Sequence, residues 1–342
     1  MSITESHPPA LRSLINDGEA PVEPVLIQDK DIQIPVIDLE RLDKEILTQA
    51  CKELGIFRLE NHGIPLTLTS RLQEISESLF RLPSENKREM FAGVKSPISY
   101  FSGTGALSRS GDALKRDPSH VNLVEGLNVP LSKLPASKIS CDDDDSQEAK
   151  LESFRVLMEE YGRHMSRIAV SMFEAMVQTL NLELSDEQKS EYLSESTGNI
   201  RVYRYTPSSG EALGLEVHTD SSVIAIIKED EVGGLQIMKG EEWFRVTPVA
   251  NTLIINLGDM MQVISDDEYK SVKHRVKVEK SSKTERHSVC YFVFPKRESV
   301  IKSSKYKPFT YAEFEAQVQA DVKSHGTKIG LPRFTPKSPL FL

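Results

Sequence analysis

Two spacings of apolar residues divide the chain into a helical part and a strand-rich part. Over residues 147–183, apolar side chains recur every three or four positions, which predicts one long amphipathic helix. From residue 199 to residue 295 the spacing changes to two, in short runs separated by turn residues. Many short alternating strands in one stretch are typical of a β-sandwich or a barrel. The pattern therefore predicts a β core supported by a long helix.

Shorter elements follow from the same two spacings. Helical spacing predicts helices over 40–54, from Pro65 to near Pro83, and over 311–324. Alternation predicts strands at 200–205, 213–219, 223–228, 234–238, 243–247, 252–256, 261–264, 272–279 and 286–294. This order places helices on both sides of a single strand-rich core.

Two stretches lack a regular period. Residues 1–32 are rich in proline, and we expect a flexible lead there. Residues 93–146 are rich in Gly, Ser and Pro, which predicts a long connection of the kind that often covers the substrate in enzymes. The acidic run CDDDDS at 141–146 lacks the glycine and the bidentate glutamate of an EF-hand loop. A solvated acidic loop is therefore expected rather than a calcium site.

Composition narrows the classes of function. The chain has 342 residues, is 39% hydrophobic and carries a net charge of -9, which excludes disorder and disfavours nucleic acid as a partner. Its three cysteines lie far apart and suggest neither a disulfide framework nor a structural zinc site. The N-terminal stretch shows no signal-peptide pattern, and no run of eighteen apolar residues occurs. A small-molecule enzyme or a protein-binding module remains, and we expect a cytoplasmic monomer without a membrane partner.

Strand alternation indicates which chemical groups meet, because residues of equal parity point to the same face of a sheet. In SVKHRVKVEK, His274 shares its face with three valines and should point to the interior. In EVHTD, His218 and Asp220 are two residues apart and share a face. An imidazole and a carboxylate therefore leave the strand end side by side, as two neighbouring metal ligands would.

A third alternating run adds an anion site. In RHSVCYFVF, Arg286 and Ser288 begin a face that continues with Cys290 and two phenylalanines. A buried Arg without a partner would cost several kcal/mol, and that strand has no carboxylate of matching parity. A bound carboxylate ligand would supply a bidentate partner, and Tyr205 could add a phenol donor to the same anion.

Each of these features alone is weak evidence, because an isolated interior histidine is more often a hydrogen-bonded core residue. Their combination is more specific. The HxD pair is followed 56 residues later by His274 and, 12 residues beyond that, by an RxS pattern. Two imidazoles and one carboxylate with open coordination positions form the facial triad of non-haem Fe(II) oxygenases.

The ordered motifs resemble the plant Fe(II)- and 2-oxoglutarate-dependent dioxygenases, within them the gibberellin-oxidase-like branch. The resemblance rests on the stretch from VHTDSSV to VKHRV, on RHSVCYFVFP, and on IPVIDLERL and ELGIFRLENHGIP nearer the N-terminus. It covers roughly residues 34–330. It implies a mixed α and β fold, with a double-stranded β-helix, a cupin-like jelly roll, flanked by helices.

The resemblance also implies a role for each motif residue. The implied site residues are His218, Asp220 and His274 as iron ligands and catalytic centre, Arg286, Ser288 and Tyr205 around the cosubstrate, and Phe292 in the substrate pocket. The implied cofactors are Fe(II), 2-oxoglutarate and O2, with ascorbate as reductant.

The sequence departs from the family pattern at three places. Tyr203 replaces the asparagine of the NxY motif that ends at Tyr205, which leaves the role of this position open. Asp266-Asp267 replaces an Asn-Gly turn, so we expect a looser or differently closed hairpin. The segment between His274 and Arg286 is about two residues longer than the family pattern, which predicts an enlarged turn.

The expected organisation has five segments. They are a flexible lead at 1–32, an N-terminal dioxygenase region at 33–140, an acidic loop and long support helix at 141–195, the catalytic core at 196–300, and a C-terminal helix and tail at 301–342.

The resemblance implies hydroxylation of a plant hormone or terpenoid carboxylic acid such as a gibberellin, with release of succinate and CO2. Alternative substrates are a phenylpropanoid, a flavonoid, an auxin or an alkaloid. A 2-oxoglutarate-independent oxidase of the same fold and a non-enzymatic metabolite-binding module are further alternatives. An acid substrate needs a second cation, for which the candidates are Arg109, Lys115, Arg116 and Arg204. The features interpreted as structural are His62, His287, Trp243 and Gly233-Gly234.

Overall fold

The computed structural model describes residues 3–16, 30–92, 97–104, 121–134, 146–207, 212–278 and 284–336. The helices are α1 Ile3–Ser6, α2 Pro9–Asn16, α3 Lys44–Glu53, α4 Leu66–Phe80, α5 Ser84–Phe91, α6 Gln147–Thr179, α7 Asp186–Tyr192, α8 Asp259–Ile264 and α9 Tyr311–His325. Short 3-10 turns lie at Leu131–Lys133, Glu195–Thr197 and Leu331–Phe334. Within the described ranges, every helix is too short or too polar to cross a bilayer.

The strands form two main sheets and one small ribbon. They are β1 Lys30–Ile32, β2 Val36–Asp38, β3 Ile56–Glu60, β4 Ser99–Ser102, β5 Val124–Pro130, β6 Asn199–Tyr205, β7 Ala212–His218, β8 Ile224–Glu229, β9 Leu235–Lys239, β10 Glu242–Val246, β11 Leu253–Leu257, β12 His274–Val278, β13 Arg286–Val293, β14 Val300–Ile301 and β15 Phe309–Thr310. The large sheet has the order β2-β3-β11-β8-β13-β6-β5-β4, and the small sheet has the order β1-β10-β9-β12-β7. One cavity is lined by residues of both sheets, so the sheets face each other. This agrees with the predicted jelly roll.

The long helix α6 supports the large sheet. Its N-cap Ser146 accepts a hydrogen bond from the Ala149 amide at 3.2 Å, which satisfies one free N–H of the first turn. Its apolar stripe is buried from Phe154 to Val177 and packs against α3, α4 and the sheet. The helix predicted over 147–183 is therefore confirmed, with its end at Thr179.

Three predictions of secondary structure are wrong. Residues 1–32 were expected to be irregular, but α1, α2 and β1 lie there. The irregular connection predicted over 93–146 contains β4 and β5, and β5 is buried at every position, so it has no alternation to detect. The strand predicted at 261–264 is part of α8, which is buried on nearly all sides and therefore shows no one-sided stripe. The acidic run at 141–145 lies outside the described residues.

The Asp266-Asp267 turn is closed by side-chain hydrogen bonds and is not part of a hairpin. It connects α8 to the approach of β12, and both residues have positive φ, 51° and 66°. Asp266 Oδ1 accepts from Ser303 Oγ at 2.5 Å and from the Ser304 amide at 2.7 Å. Asp267 Oδ1 accepts from Tyr306 Oη at 2.7 Å. These bonds offset the cost of left-handed backbone at residues other than glycine.

We predict that Asp266→Ala lowers the free energy of unfolding by about 2 kcal/mol, because it removes two hydrogen bonds to a carboxylate and leaves Ala in left-handed backbone. Asp266→Asn is the matched control and should lose less than half as much.

The same carboxylate makes stability depend on pH. Burial raises the pKa of Asp266, but the hydrogen bonds from Ser303 and Ser304 lower it by more, so the net pKa is lowered. The carboxylate thus stabilises the fold above the unfolded-state pKa, and its contribution is lost as pH falls through the folded-state pKa. Urea unfolding at pH 7 and at about pH 3 measures both effects, and equal stability of wild type and Asp266→Ala at pH 7 would contradict the account.

Candidate active site

Two histidines and one aspartate meet at one end of the small sheet. β12 pairs antiparallel with β7, and the register places His274 directly opposite His218. Asp220 follows β7 by two residues, and its Oδ1 lies 3.8 Å from Nε2 of each histidine. One ligand atom from each residue lies within 4.8 Å of the other two. This spacing allows the three side chains to hold one metal ion on a shared face.

Backbone carbonyls fix the orientation of both imidazoles. His218 Nδ1 lies 2.7 Å from the Glu216 carbonyl, and His274 Nδ1 lies 3.1 Å from the Val272 carbonyl. Because a carbonyl only accepts hydrogen bonds, each Nδ1 carries the proton, and each Nε2 presents its lone pair toward Asp220. This arrangement is typical of histidines that bind a metal through Nε2.

The aspartate is held from two sides. Asn256 Nδ2 donates to Asp220 Oδ2, which leaves Oδ1 toward the histidines. The backbone carbonyl of Asp220 accepts from the Asp259 amide at 2.8 Å, at the N-terminus of α8. Asn256 lies on β11 and is almost fully buried, so the contact excludes water. The carboxylate therefore has a fixed rotamer before any metal binds.

The protonation states suit a divalent cation. Burial lowers the pKa of His218, and the neighbouring His274 lowers it further. Burial raises the pKa of Asp220, but His274, His218 and the Asn256 hydrogen bond lower it, with a net lowering. A neutral imidazole and an ionised carboxylate are the forms that coordinate metals. The donor set fits Fe(II), which accepts nitrogen and oxygen ligands in this combination.

Beside the three ligands, a cavity of about 180 Å³ lies between the two sheets. Alternate residues of β13 line it, as parity predicts, namely Arg286, Ser288, Cys290, Phe292 and the following Phe294. Tyr205 lines it from β6, where it lies directly opposite Arg286. The structure thus brings all seven site residues of the sequence prediction to one cavity.

Arg286 carries a positive charge that the protein only partly neutralises. Its Nη2 lies 3.4 Å from Glu229 Oε2, while Arg58 Nη2 lies 3.0 Å from Glu229 Oε1. One buried carboxylate is therefore shared by two buried guanidinium groups. The Arg286 Nε is also buried and has no hydrogen-bond partner among the described residues. An incoming carboxylate would satisfy this nitrogen and the excess charge, so the cavity fits 2-oxoglutarate.

Two polar side chains lie beside Arg286 at this end. Ser288 Oγ lies 3.3 Å from Arg286 Nη1, and the guanidinium lies over the Tyr205 ring at 4.8 Å from its centroid. Burial raises the pKa of Tyr205 well above its ordinary value, so its phenol stays a donor. Arg286, Ser288 and Tyr205 together offer guanidinium and hydroxyl donors to one anion.

The lining residues that the sequence analysis did not single out include Arg201, Asn122 and Lys328, and the role of Tyr203 had stayed open. Arg201 and Tyr203 lie on β6 at the same parity as Tyr205, so the alternation that indicated Tyr205 could also have found Arg201. The Tyr203 ring stacks on the Tyr205 ring at 5.8 Å. Asn122 precedes β5, and its buried Nδ2 has no hydrogen-bond partner in the described part of the chain. Lys328, beyond α9, donates to the Thr219 carbonyl at 2.6 Å, between the two ligands of the HxD motif.

The other sequence candidates lie elsewhere. Arg204 points to the opposite face of β6 and pairs with Glu125 at 2.6 Å, so it is not the second cation of the cavity. His287 also lies outside the cavity, as parity predicts. His62 Nδ1 accepts from the Ile64 amide at 3.2 Å, and Trp243 packs under Arg275 at 4.1 Å, which agrees with structural roles. Arg109, Lys115 and Arg116 lie outside the described residues.

Comparison with known proteins agrees with this geometry. Residues 193–295 match the model of the 2OG-Fe(II) oxygenase superfamily, and residues 34–146 match that of the non-haem dioxygenase in morphine synthesis N-terminal region. Gibberellin 2-beta-dioxygenase 6 of Oryza sativa subsp. japonica is 33% identical over 96% of this chain and 89% of its own length. The chain belongs to the 2OG-Fe(II) oxygenase superfamily. It is therefore a 2-oxoglutarate-dependent dioxygenase that uses Fe(II), and the alternatives of a non-enzymatic module and a 2-oxoglutarate-independent oxidase are set aside.

Solved structures share the fold. The crystal structure of JOX2 in complex with 2OG, Fe and JA has a TM-score of 0.71 and 23% identity, and covers 94% of this chain and 95% of its own. The dioxygenase for auxin oxidation in rice has a TM-score of 0.68 and 23% identity, and covers 89% of this chain and 100% of its own. At this identity the likeness confirms the predicted jelly roll with flanking helices.

We predict that Asn256→Ala weakens metal binding about 10- to 100-fold, because Asp220 loses the donor that fixes its rotamer. Isothermal titration of the metal-free protein with Mn(II) measures the affinity independently of turnover. Asn256→Asp, which can only accept at neutral pH, should be at least as harmful, and Gln178→Ala at an exposed position of α6 should bind as wild type does. Unchanged Mn(II) affinity in Asn256→Ala would contradict the support that we assign to Asn256.

Proposed function

We propose that this dioxygenase hydroxylates a small carboxylic acid of the plant hormone or terpenoid class, such as a gibberellin, and releases succinate and CO2. The observation that carries the proposal is the position of Arg201. Its guanidinium lines the cavity and lies over the Phe292 ring at 5.0 Å. It therefore places a cation beside the apolar wall that a hydrophobic substrate would contact.

Arg201 has no carboxylate partner in the part of the chain that the structure describes. Its Nε donates to Asn128 Oδ1 at 3.2 Å, which holds the side chain in place without cancelling its charge. No carboxylate lies within 4.0 Å of its nitrogens in the described part of the chain. A half-buried guanidinium without an anion binds a carboxylate more strongly than a solvated one, because less water competes.

Two arginines of the cavity divide the work of binding. We assign His218, Asp220 and His274 to Fe(II), and Arg286, Ser288 and Tyr205 to the distal carboxylate of 2-oxoglutarate. Along β6, Tyr205, Tyr203 and Arg201 point to the same face at intervals of two residues. Arg201 is therefore farther from Arg286 than Tyr205 is, and it lies near Phe292. One anionic compound is then held at each end of the cavity, and this separation keeps cosubstrate and substrate in different places.

Bound Fe(II) with 2-oxoglutarate and O2 supplies the oxidising power for an unactivated C–H bond, and 2-oxoglutarate is decarboxylated to succinate. The protein's contribution is orientation and exclusion of water. Aliphatic side chains also line the cavity, and they comprise Leu215, Ile227, Leu235 and Val276. They keep bulk water away from the metal ligands and the bound cosubstrate.

The names of similar proteins support an acid substrate. They include a gibberellin 2-beta-dioxygenase, a complex with JA and a dioxygenase for auxin oxidation. Gibberellins and auxins are carboxylic acids, which agrees with a free cation in the cavity. A neutral flavonoid, phenylpropanoid or alkaloid would leave Arg201 without an anion, and a half-buried charge without a partner is unfavourable. The cytoplasmic location, the monomeric state and the five-segment organisation remain predictions.

The direct test is succinate formation from 2-oxoglutarate by the purified protein with Fe(II) and ascorbate, across gibberellins, auxins, flavonoids and phenolic acids. We expect stimulation by an apolar carboxylic acid and none by its methyl ester. His218→Ala is the control and should form no succinate. Stimulation by neutral flavonoids alone would overturn the proposed substrate class and leave the dioxygenase activity intact.

A variant at Arg201 tests the same proposal at the residue. Arg201→Gln should raise KM for the acid substrate about 10- to 100-fold, the loss expected for one charged hydrogen-bonded contact of about 1.5–3 kcal/mol. The KM for 2-oxoglutarate should change less than about twofold, because another guanidinium holds that carboxylate. Arg201→Lys should recover part of the loss, since it retains a cation but not the planar fork. Equal losses of affinity for substrate and cosubstrate would show that Arg201 does not discriminate between them.

A further inference from the structure

A buried group of charges lies on the outer face of the large sheet, behind the cosubstrate end of the cavity. We call it the rear cluster and define it as Lys87, Glu125, Arg204, Glu285 and His7. Glu125 accepts from Lys87 Nζ at 2.7 Å, and its other oxygen lies 2.6 Å from Arg204 Nη2. Arg204 Nη1 lies 3.8 Å from Glu285 Oε1, which is 3.1 Å from His7 Nε2. Lys87, Glu125, Arg204 and His7 are at most 1% exposed.

The rear cluster is attached to the two strands that carry the proposed cosubstrate residues. Arg204 lies on β6 immediately before Tyr205, and Glu285 immediately precedes Arg286, the first residue of β13. Tyr205 and Arg286 are directly opposite each other in the register of these strands. Since neighbouring residues of a strand point to opposite faces, a fixed Arg204 and a fixed Glu285 restrict the backbone from which Tyr205 and Arg286 project.

The N-terminal segment completes the rear cluster. The Ser6 carbonyl accepts from Lys87 Nζ at 2.6 Å, and Ser6 Oγ accepts from Arg204 Nη1 at 3.4 Å. Leu11 of α2 is fully buried, which anchors the same segment in the core. The segment thus covers two cations and two carboxylates that would otherwise be hydrated.

His7 is the contact through which this segment reaches β13. Burial raises the pKa of Glu285, but His7 and Arg204 lower it, so the net pKa is lowered and the group is a carboxylate. Without His7, Glu285 keeps, among the described residues, the longer contacts to Arg204 at 3.8 Å and to His287 at 4.0 Å and, with 27% of its side chain exposed, can turn to solvent. Glu285 and His287 are the two chain neighbours of Arg286 and lie on the outer face of the sheet. If Glu285 turned to solvent, only His287 would still hold the start of β13 on that face.

We propose that His7, acting through Glu285, is a positioning residue for Arg286 and so tunes the affinity for 2-oxoglutarate from the opposite face of the sheet. The proposal rests on the assignment of Arg286 to the cosubstrate. It gives the N-terminal segment a part in cosubstrate binding although none of its residues lines the cavity within the described ranges.

The test measures binding of 2-oxoglutarate to the full-length, Mn(II)-loaded protein by isothermal titration, together with KM and kcat. His7→Ala should raise Kd and KM for 2-oxoglutarate by about fivefold or more, the lower range of coupling between distant groups, while kcat at saturating 2-oxoglutarate stays near the wild-type value. His7→Gln, whose amide nitrogen occupies the place of Nε2, should restore most of the affinity. Glu5→Ala, an exposed position in the preceding helix α1, is the matched control and should bind as wild type does.

Glu285→Gln approaches the same contact from the other side and leaves no cavity. It should raise Kd in the same direction, so a folding defect of His7→Ala does not prevent the test. Wild-type Kd and KM in both His7→Ala and Glu285→Gln, with only a lowered unfolding temperature, would overturn the proposal and leave the segment a purely structural role. Arg286→Ala separates the two assignments: if it also leaves Kd unchanged, the assignment of Arg286 to the cosubstrate fails as well.

Discussion

The active site depends on a positive charge that the described part of the protein buries and only partly neutralises. Arg58 and Arg286 share the carboxylate of Glu229 between the two sheets. In a space with little water, the remaining charge attracts an anion much more strongly than an exposed arginine would. The large sheet therefore offers an anion site, and the small sheet offers metal ligands across the cavity. A cosubstrate that carries carboxylates and chelates a metal can connect the two.

Strand alternation explains both the success and the limits of the sequence analysis. It placed Arg286, Ser288 and Phe292 on one face because that relation lies within a single strand. It could not find Glu229, whose place opposite Ser288 comes from the pairing of β8 with β13. The meeting of His218 with His274 is likewise a relation between strands, which the resemblance to a known family supplied.

Elements that are buried on every side were the ones missed. β5 has no exposed face and α8 almost none, so neither spacing identifies them. Asn122 was missed together with β5, because it lines the cavity just before that strand. Arg201 was missed because the alternation rule was applied to Tyr205 and not to the whole of β6. Arg201 has the same parity as Tyr205, so the rule would have selected Arg201 and rejected Arg204. The helices near the N-terminus escaped because α1 and α2 are short and their contacts are with distant residues such as Lys87 and Arg204.

The two faces of the large sheet have complementary tasks. The inner face carries the groups that meet small molecules, and the outer face fixes the strands from which those groups project. Buried ion pairs such as Lys87–Glu125 contribute little net stability, because desolvation offsets much of their attraction. Their value here lies in geometry, since a fully paired buried group permits few alternative arrangements.

The most direct measurement is a crystal structure of the protein with Mn(II) and 2-oxoglutarate, grown without oxygen. The account predicts the metal on Nε2 of His218, Nε2 of His274 and the Asp220 carboxylate, with the distal carboxylate of 2-oxoglutarate on Arg286 and Ser288, and Arg201 left free for the substrate. A metal bound elsewhere, or a 2-oxoglutarate carboxylate on Arg201 instead of Arg286, would contradict it.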